Sequence, residues 1–196
     1  MRTRNTQKEE LVKQKAIELI VKEGLENFSV NKLAKACGIS VATIYIYYKD
    51  KDDLIIKIAA EEAKKQTESV LGDFDPEASF EEGLRMQWKN RSSYMLQNPL
   101  SALFFEQLRG SAYIDEIYDI IVTEFKKVMG AFMKNVIARG EVEPLPLEVF
   151  WSVAFAPLYT LVRFHAEGKS IGGKPFTLTD AILWQTFDHV VKGLRK

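Results

Sequence analysis

The sequence predicts an all-α protein of about nine helices, and three observations predict it. Almost every segment repeats its apolar residues at helical spacing, no alternating stretch holds up as a strand, and glycine, proline and capping residues fall between the periodic runs. The chain has 196 residues, 46% of them hydrophobic and 28% charged, enough apolar material to bury a core. It contains no run of about 18 apolar residues, the length that would span a membrane. Met1-Arg2-Thr3-Arg4-Asn5 leads into a charged stretch instead of the apolar segment of a secretory signal. A lone cysteine, Cys37, excludes an intramolecular disulfide and fits a reducing cytoplasm, where the protein is expected. With only His165 and His189 beside it, little material remains for a zinc site or Cys/His catalysis, so no metal and no cofactor is expected.

The elements follow in order. Val12, Ala16, Leu19 and Ile20 recur at helical spacing, and Gly24 closes that first helix. Ser29 caps a short helix from Val30 to Cys37, Gly38 permits a tight turn, and Ser40 caps a second short helix over 41–48. Asp50 caps a longer helix from about Lys51, with Asp52 and Asp53 in its first turn, the sign the helix dipole favours. Gly72-Asp73-Phe74-Asp75-Pro76 is a break. Helices are then expected over 77–97, 99–110, 113–139, 146–168 and 179–195. Pro157, inside one of them, can kink it and free backbone carbonyls. Gly172-Gly173 lacks the preceding strand and following helix of a phosphate loop and reads as a flexible connection.

The overall charge is zero, with 27 Lys+Arg against 27 Asp+Glu, but it is unevenly spread. Residues 1–50 carry nine basic and six acidic side chains, so the small positive excess lies where a polyanion would be welcome.

The stretch that carries chemistry is Ser29 to Lys51, SVNKLAKACGISVATIYIYYKDK. Two short helices joined at Gly-Ile-Ser form a helix-turn-helix, whose second helix can enter a major groove. Ile39, Ile44 and Tyr48 would pin that helix to the first, leaving Val41, Ala42, Thr43, Tyr45 and Tyr47 toward the groove and its walls. Small residues at 41 and 42 allow close approach. Thr43 can hydrogen-bond a base edge or set its methyl against thymine, and tyrosine hydroxyls reach phosphates. Lys49 and Lys51 sit where cations could hold the backbone. So short a helix cannot bury three tyrosines and an isoleucine in a row, so some of Tyr45-Ile46-Tyr47-Tyr48 must point outward.

From Ala16 through Lys51 the chain resembles the N-terminal domain of TetR-type transcriptional regulators. The resemblance rests on Ala16 and Leu19, Gly24, Ser29 where the family usually has Thr, Leu33-Ala34, Gly38-Ile39-Ser40, Thr43-Ile44-Tyr45, Tyr47-Tyr48 and Lys51. Ile20 replaces the usual Phe, Cys37 stands where Ala is common, and Ala42 replaces Gly. The resemblance implies that Ser29 and Lys51 contact phosphates and that Val41, Ala42, Thr43, Tyr45 and Tyr47 face bases or flanking backbone. It also implies a homodimer on a palindromic double-stranded operator. The domains are then 1–50 for DNA and 51–196 for ligand binding and dimerisation, joined through the helix from Lys51 without a flexible break until Gly72.

Residues 51–196 hold 18 of the 22 aromatic side chains. A helical core accounts for most of them. The resemblance adds a cavity enclosed by the helices at 77–168, taking an apolar or aromatic small-molecule effector. Candidate lining residues are Trp88, Tyr94, Phe104, Phe105 and Tyr118, then Phe125, Trp151, Phe155, Tyr159 and His165. His165, following Leu158, Leu161 and Val162, also reads as a hydrogen-bonded structural histidine. The last two helices, over 146–168 and 179–195, are apolar over too broad an arc for one-sided packing and are expected to build the dimer interface, centred on Phe187, Val190, Val191 and Leu194. The function expected is a ligand-responsive regulator, a repressor released by a small molecule. The alternatives are control by a protein partner or a helical enzyme. No Ser-His-Asp set, metal spacing or nucleotide fingerprint supports an enzyme, and Asp188-His189 reads as a surface pair. A redox role for Cys37 conflicts with its place on the inner helix face, which predicts an inert thiol.

Overall fold

Helix boundaries in the computed structural model follow the punctuation of the sequence. The model describes residues 2–196, and the side chains of residues 6–117 and 126–196. Among the described residues ten helices run in the order α1 (Arg2–Glu23), α2 (Val30–Cys37), α3 (Val41–Ile44), α4 (Lys51–Leu71), α5 (Phe80–Gln97), α6 (Pro99–Leu108), α7 (Ile114–Ala138), α8 (Leu147–Ala154), α9 (Ala156–Glu167) and α10 (Asp180–Leu194). No single helix among the described residues is long and apolar enough to cross a membrane.

The chain forms two compact units. The first comprises the residues up to Lys65 together with Asn98–Val122. Its core joins Val12, Ala16 and Ile20 of α1 with Leu33, Ile44, Leu54 and Ile58, and with Phe104, Leu108 and Ile117 from the later segment. Gly24 ends α1 in the left-handed conformation at φ 84°, its N–H returning to the Ile20 carbonyl at 2.9 Å. Charges also tie this unit together. Lys13 Nζ sits 2.6 Å from Glu61 and 3.2 Å from Glu10, linking α1 to α4. Burial alone would lower the Lys13 amine, but hydrogen bonds to Glu61 and Glu10 outweigh it and hold the amine above its ordinary range. The Tyr113 hydroxyl donates to Asp52 Oδ1 at 2.6 Å, and burial together with that bond pushes the phenol up to about 12.

The second unit comprises Gln66–Gln97 and Thr123–Lys196. α5 begins at Phe80, not 77, because Ser79 and Glu82 form a reciprocal cap: the Glu82 N–H reaches Ser79 Oγ, and the Ser79 N–H reaches Glu82 Oε2. Glu141 adds a carboxylate to the same helix start, accepting from the Phe80 N–H at 2.5 Å. Gly83 lets α5 approach α7 closely, since a Cβ there would lie 2.4 Å from the Phe132 ring.

The expected helix over 146–168 is two helices, which raises the count from about nine to ten. α8 and α9 bend by 41° at Phe155. Pro157 has no N–H for the Val153 carbonyl, and its ring crowds that carbonyl. The indole Nε1 of Trp88 donates to the Ala154 carbonyl at this break, at 2.8 Å. The 170–175 segment is not a loose connection. Gly172 and Gly173 take φ 85° and 75°, and Ser170 N–H bonds the Lys174 carbonyl at 2.8 Å, closing a tight turn. His165 Nδ1 accepts from the Leu178 N–H at 3.2 Å, as a structural histidine does.

Phe187, Val190, Val191 and Leu194 require a correction. All four are buried within the second unit's own core. Phe187 meets Trp88 and Trp184 edge-on at 5.5 and 5.7 Å between ring centres. They pack inside one chain, so the broad apolar arc of α10 is consumed there and is not an outward face.

Candidate nucleic-acid interface

Residues 29–51 form the site, and backbone capping shapes it. Ser29 is extended at φ −141° and its Oγ accepts from the Lys32 N–H at 3.3 Å, starting α2. Gly38 ends that helix at φ 65°, and the Ile39 N–H returns to the Ala34 carbonyl at 3.0 Å. A left-handed residue reverses the chain here at little steric cost only because it is glycine. Ser40 then caps α3, its Oγ accepting from the Thr43 N–H at 3.2 Å and lying 2.9 Å from Thr43 Oγ1.

α3 stops at Ile44 instead of running to residue 48. Beyond it the chain tightens, with N–H groups of Ile46 and Tyr47 reaching the carbonyls of Thr43 and Ile44 at 3.3 and 3.0 Å. The tightening accompanies the burial of both Ile44 and Tyr48, and β-branched Thr43, Ile44 and Ile46 resist a regular helix. The outward residues are Ala42, Tyr45, Ile46 and Lys49, spaced as one helical face. Val41 and Tyr47, expected toward the groove, are half-buried and rest against the core. Thr43 stands at the edge between the two sets, half-buried. Ile46 was not singled out from the sequence, yet it is 74% exposed, more than Tyr45 at 49%. The spacing of three and four from Ala42 would have found it.

The cations are held in a rigid turn. Asp50 Oδ1 accepts from the Asp53 N–H and Asp53 Oδ2 from the Lys49 N–H, both at 2.8 Å. The Lys49 backbone bond and then the Lys57 amine hold the Asp53 carboxyl below its ordinary range. Asp53 is paired with Lys57, which offsets one acidic charge that would otherwise repel a polyanion. Lys49 is exposed, and Lys51 at the start of α4 places its Nζ 5.8 Å from the centre of the Phe28 ring. Cys37 is half-buried, and burial pushes its thiol up, away from a reactive thiolate.

The expected ligand residues divide. Trp88, Trp151, Phe155 and Tyr159 come together in the second unit, where the buried Arg91 guanidinium lies over Phe155 and Trp151 and donates to the Tyr159 hydroxyl at 2.7 Å. Phe104 and Phe105 belong to the first unit's core instead, because α6 packs on α1. Tyr94 is half-buried on α5, and His165 is committed to the Leu178 N–H. The side chains of Tyr118 and Phe125 lie outside the described residues.

Two capped helices, a glycine reversal and an outward face flanked by lysines define a helix-turn-helix protein. Residues 8–58 match the family model described as bacterial regulatory proteins, tetR family. A Haemophilus influenzae relative, an uncharacterised HTH-type transcriptional regulator, is 36% identical over 81 residues, which cover 41% of this chain and 43% of that protein. The match thus spans less than half of that relative's length. Among solved structures, a TetR family transcription regulator from Marinobacter aquaeolei aligns over 100% of both chains with TM-score 0.82 and 24% identity. The regulator FadR from Bacillus subtilis, in complex with stearoyl-CoA, aligns over 93% of this chain and 97% of its own with TM-score 0.73 and 20% identity. Over residues 8–58 the chain is thus similar to the tetR family of bacterial regulatory proteins, and its fold is the one these solved structures share.

Proposed function

We propose that this chain is a ligand-responsive transcriptional regulator, a repressor that leaves a palindromic operator when a small molecule binds. The observation that carries the reading is the outward face of Ala42, Tyr45 and Lys49 beside Thr43, on a capped element inside the segment that matches the family. An element presenting small and hydroxyl-bearing side chains, with lysines behind it, suits groove contact and phosphate contact together.

Two copies are needed to read a palindrome. With Phe187, Val190, Val191 and Leu194 buried, the pairing surface falls to the outward faces of the same helices. On α8 Val149 and Val153, four residues apart, are 46% and 36% exposed, and exposed Ala156 continues the stripe on α9. Gln185, His189 and Gly193 lie on the exposed side of α10, which packs against α8. A stripe of valine and small residues is suited to self-complementary burial in a two-fold pair.

The effector is apolar over most of its length in this reading. Trp151, Phe155 and Tyr159 surround a polar anchor, Arg91, the composition of a binding region for an amphiphile. The stearoyl-CoA held by the FadR neighbour makes a long-chain acyl-CoA the first probe. The test is selection of duplexes from a random pool by the full chain, followed by titration of the selected DNA with and without stearoyl-CoA. An inverted repeat, released with a 5–150-fold loss of affinity, corresponds to a coupling of about 1–3 kcal/mol and supports the reading. Failure to enrich any sequence would overturn it.

A further inference from the structure

We propose that Ile46 is a specificity-determining residue that reads a thymine methyl group in the major groove, an inference that rests on the DNA-binding reading above. Ile46 is the most exposed large apolar side chain of the reading element, at 74%. It cannot turn inward. Its neighbours at positions 44 and 48 are sealed in the core, and its own N–H is held by the Thr43 carbonyl. It lies on one face with Ala42, Tyr45 and Lys49. Ala42 leaves room for the backbone to approach the bases, and Lys49 supplies a phosphate contact on the same face. The side chain between them has neither donor nor acceptor.

That chemistry narrows what Ile46 can recognise. Base edges in the major groove are distinguished by donors and acceptors, which isoleucine cannot engage, and by one apolar group, the C5-methyl of thymine. A polar side chain here would read an edge or a phosphate. A branched aliphatic one selects for thymine at one position in each half-site.

The test uses the duplex selected by the full chain. Each thymine is replaced in turn by deoxyuridine, which removes the methyl and leaves every hydrogen-bonding edge intact. Binding is measured for the parent and for Ile46→Ala, which is folded because the side chain is exposed. At one thymine per half-site, the parent should lose about fourfold in affinity, the equivalent of about 0.8 kcal/mol. Ile46→Ala should bind the two duplexes equally. If every deoxyuridine affects parent and variant alike, the assignment of Ile46 is overturned while DNA binding stands. A uniform loss for Ile46→Ala on all sequences, without methyl dependence, overturns it too, in favour of contact with deoxyribose. If the parent has no salt-dependent affinity for any duplex, the DNA-binding reading falls, and this assignment with it.

Discussion

Residues 41–48 and α10 both carry apolar side chains on more than one face, and they use them in opposite ways. In the first segment Ile44 and Tyr48 anchor the element and leave Tyr45 and Ile46 open. In α10 Phe187, Val190, Val191 and Leu194 are all enclosed by their own unit. The difference lies in what surrounds each segment. A four-residue helix has one packing side, whereas α10 packs against α5, α8 and α9 together. A broad apolar arc therefore marks an interface only where the neighbouring elements are too few to cover it.

The largest effect that tests this contrast is at Phe187. Phe187→Ala should cost about 3–5 kcal/mol in chemical denaturation, because the ring fills space between Trp88 and Trp184. The comparable truncation Ile46→Ala should stay within about 0.5 kcal/mol of the parent. Equal costs at the two positions would erase the distinction. A charged residue at 187 should abolish folding instead of yielding a folded monomer.

Glycines within the second unit sharpen the same point. Gly83→Ala brings a Cβ within 2.4 Å of buried Phe132, so it should destabilise by about 1–3 kcal/mol despite the better helix propensity of alanine. Gly130→Ala meets nothing within 4 Å and should stabilise by up to about 1 kcal/mol. Thermal melts of the two variants should move in opposite directions.

Much of the reading element was legible in the sequence, because local chemistry decides it. Ser29, Gly38, Ser40 and Asp50 each act on their own backbone neighbourhood, and capping residues announce themselves at fixed offsets. Pro157 likewise marked the break between α8 and α9. What stayed hidden depends on long-range packing. Phe104 sits in the same aromatic-rich stretch as Trp88, and periodicity cannot tell that one joins the core of α1 while the other joins Phe187. A regular helix over 41–48 would turn Val41 and Tyr47 outward, but the chain tightens after Ile44 and the exposed face rotates toward Ile46.

A smaller effect is expected with pH. The Phe80 N–H and then Arg139 hold the Glu141 carboxyl below its ordinary value of 4.5. A carboxyl depressed in the folded state contributes stability above that value and loses it as pH falls through the folded one. Glu141→Gln should therefore show a shallower loss of stability below about pH 4.5 than the parent, measured by denaturant midpoints across acid pH.

The most direct measurement for the central claim, that the 29–51 segment grips DNA, is the salt dependence of duplex binding for the parent and Lys51→Ala. The parent's affinity should fall linearly with the logarithm of salt concentration. Loss of one phosphate contact per head should make the slope shallower by about 0.9 for each, with the fold unchanged by circular dichroism. Identical slopes and affinities for the two proteins would contradict the account.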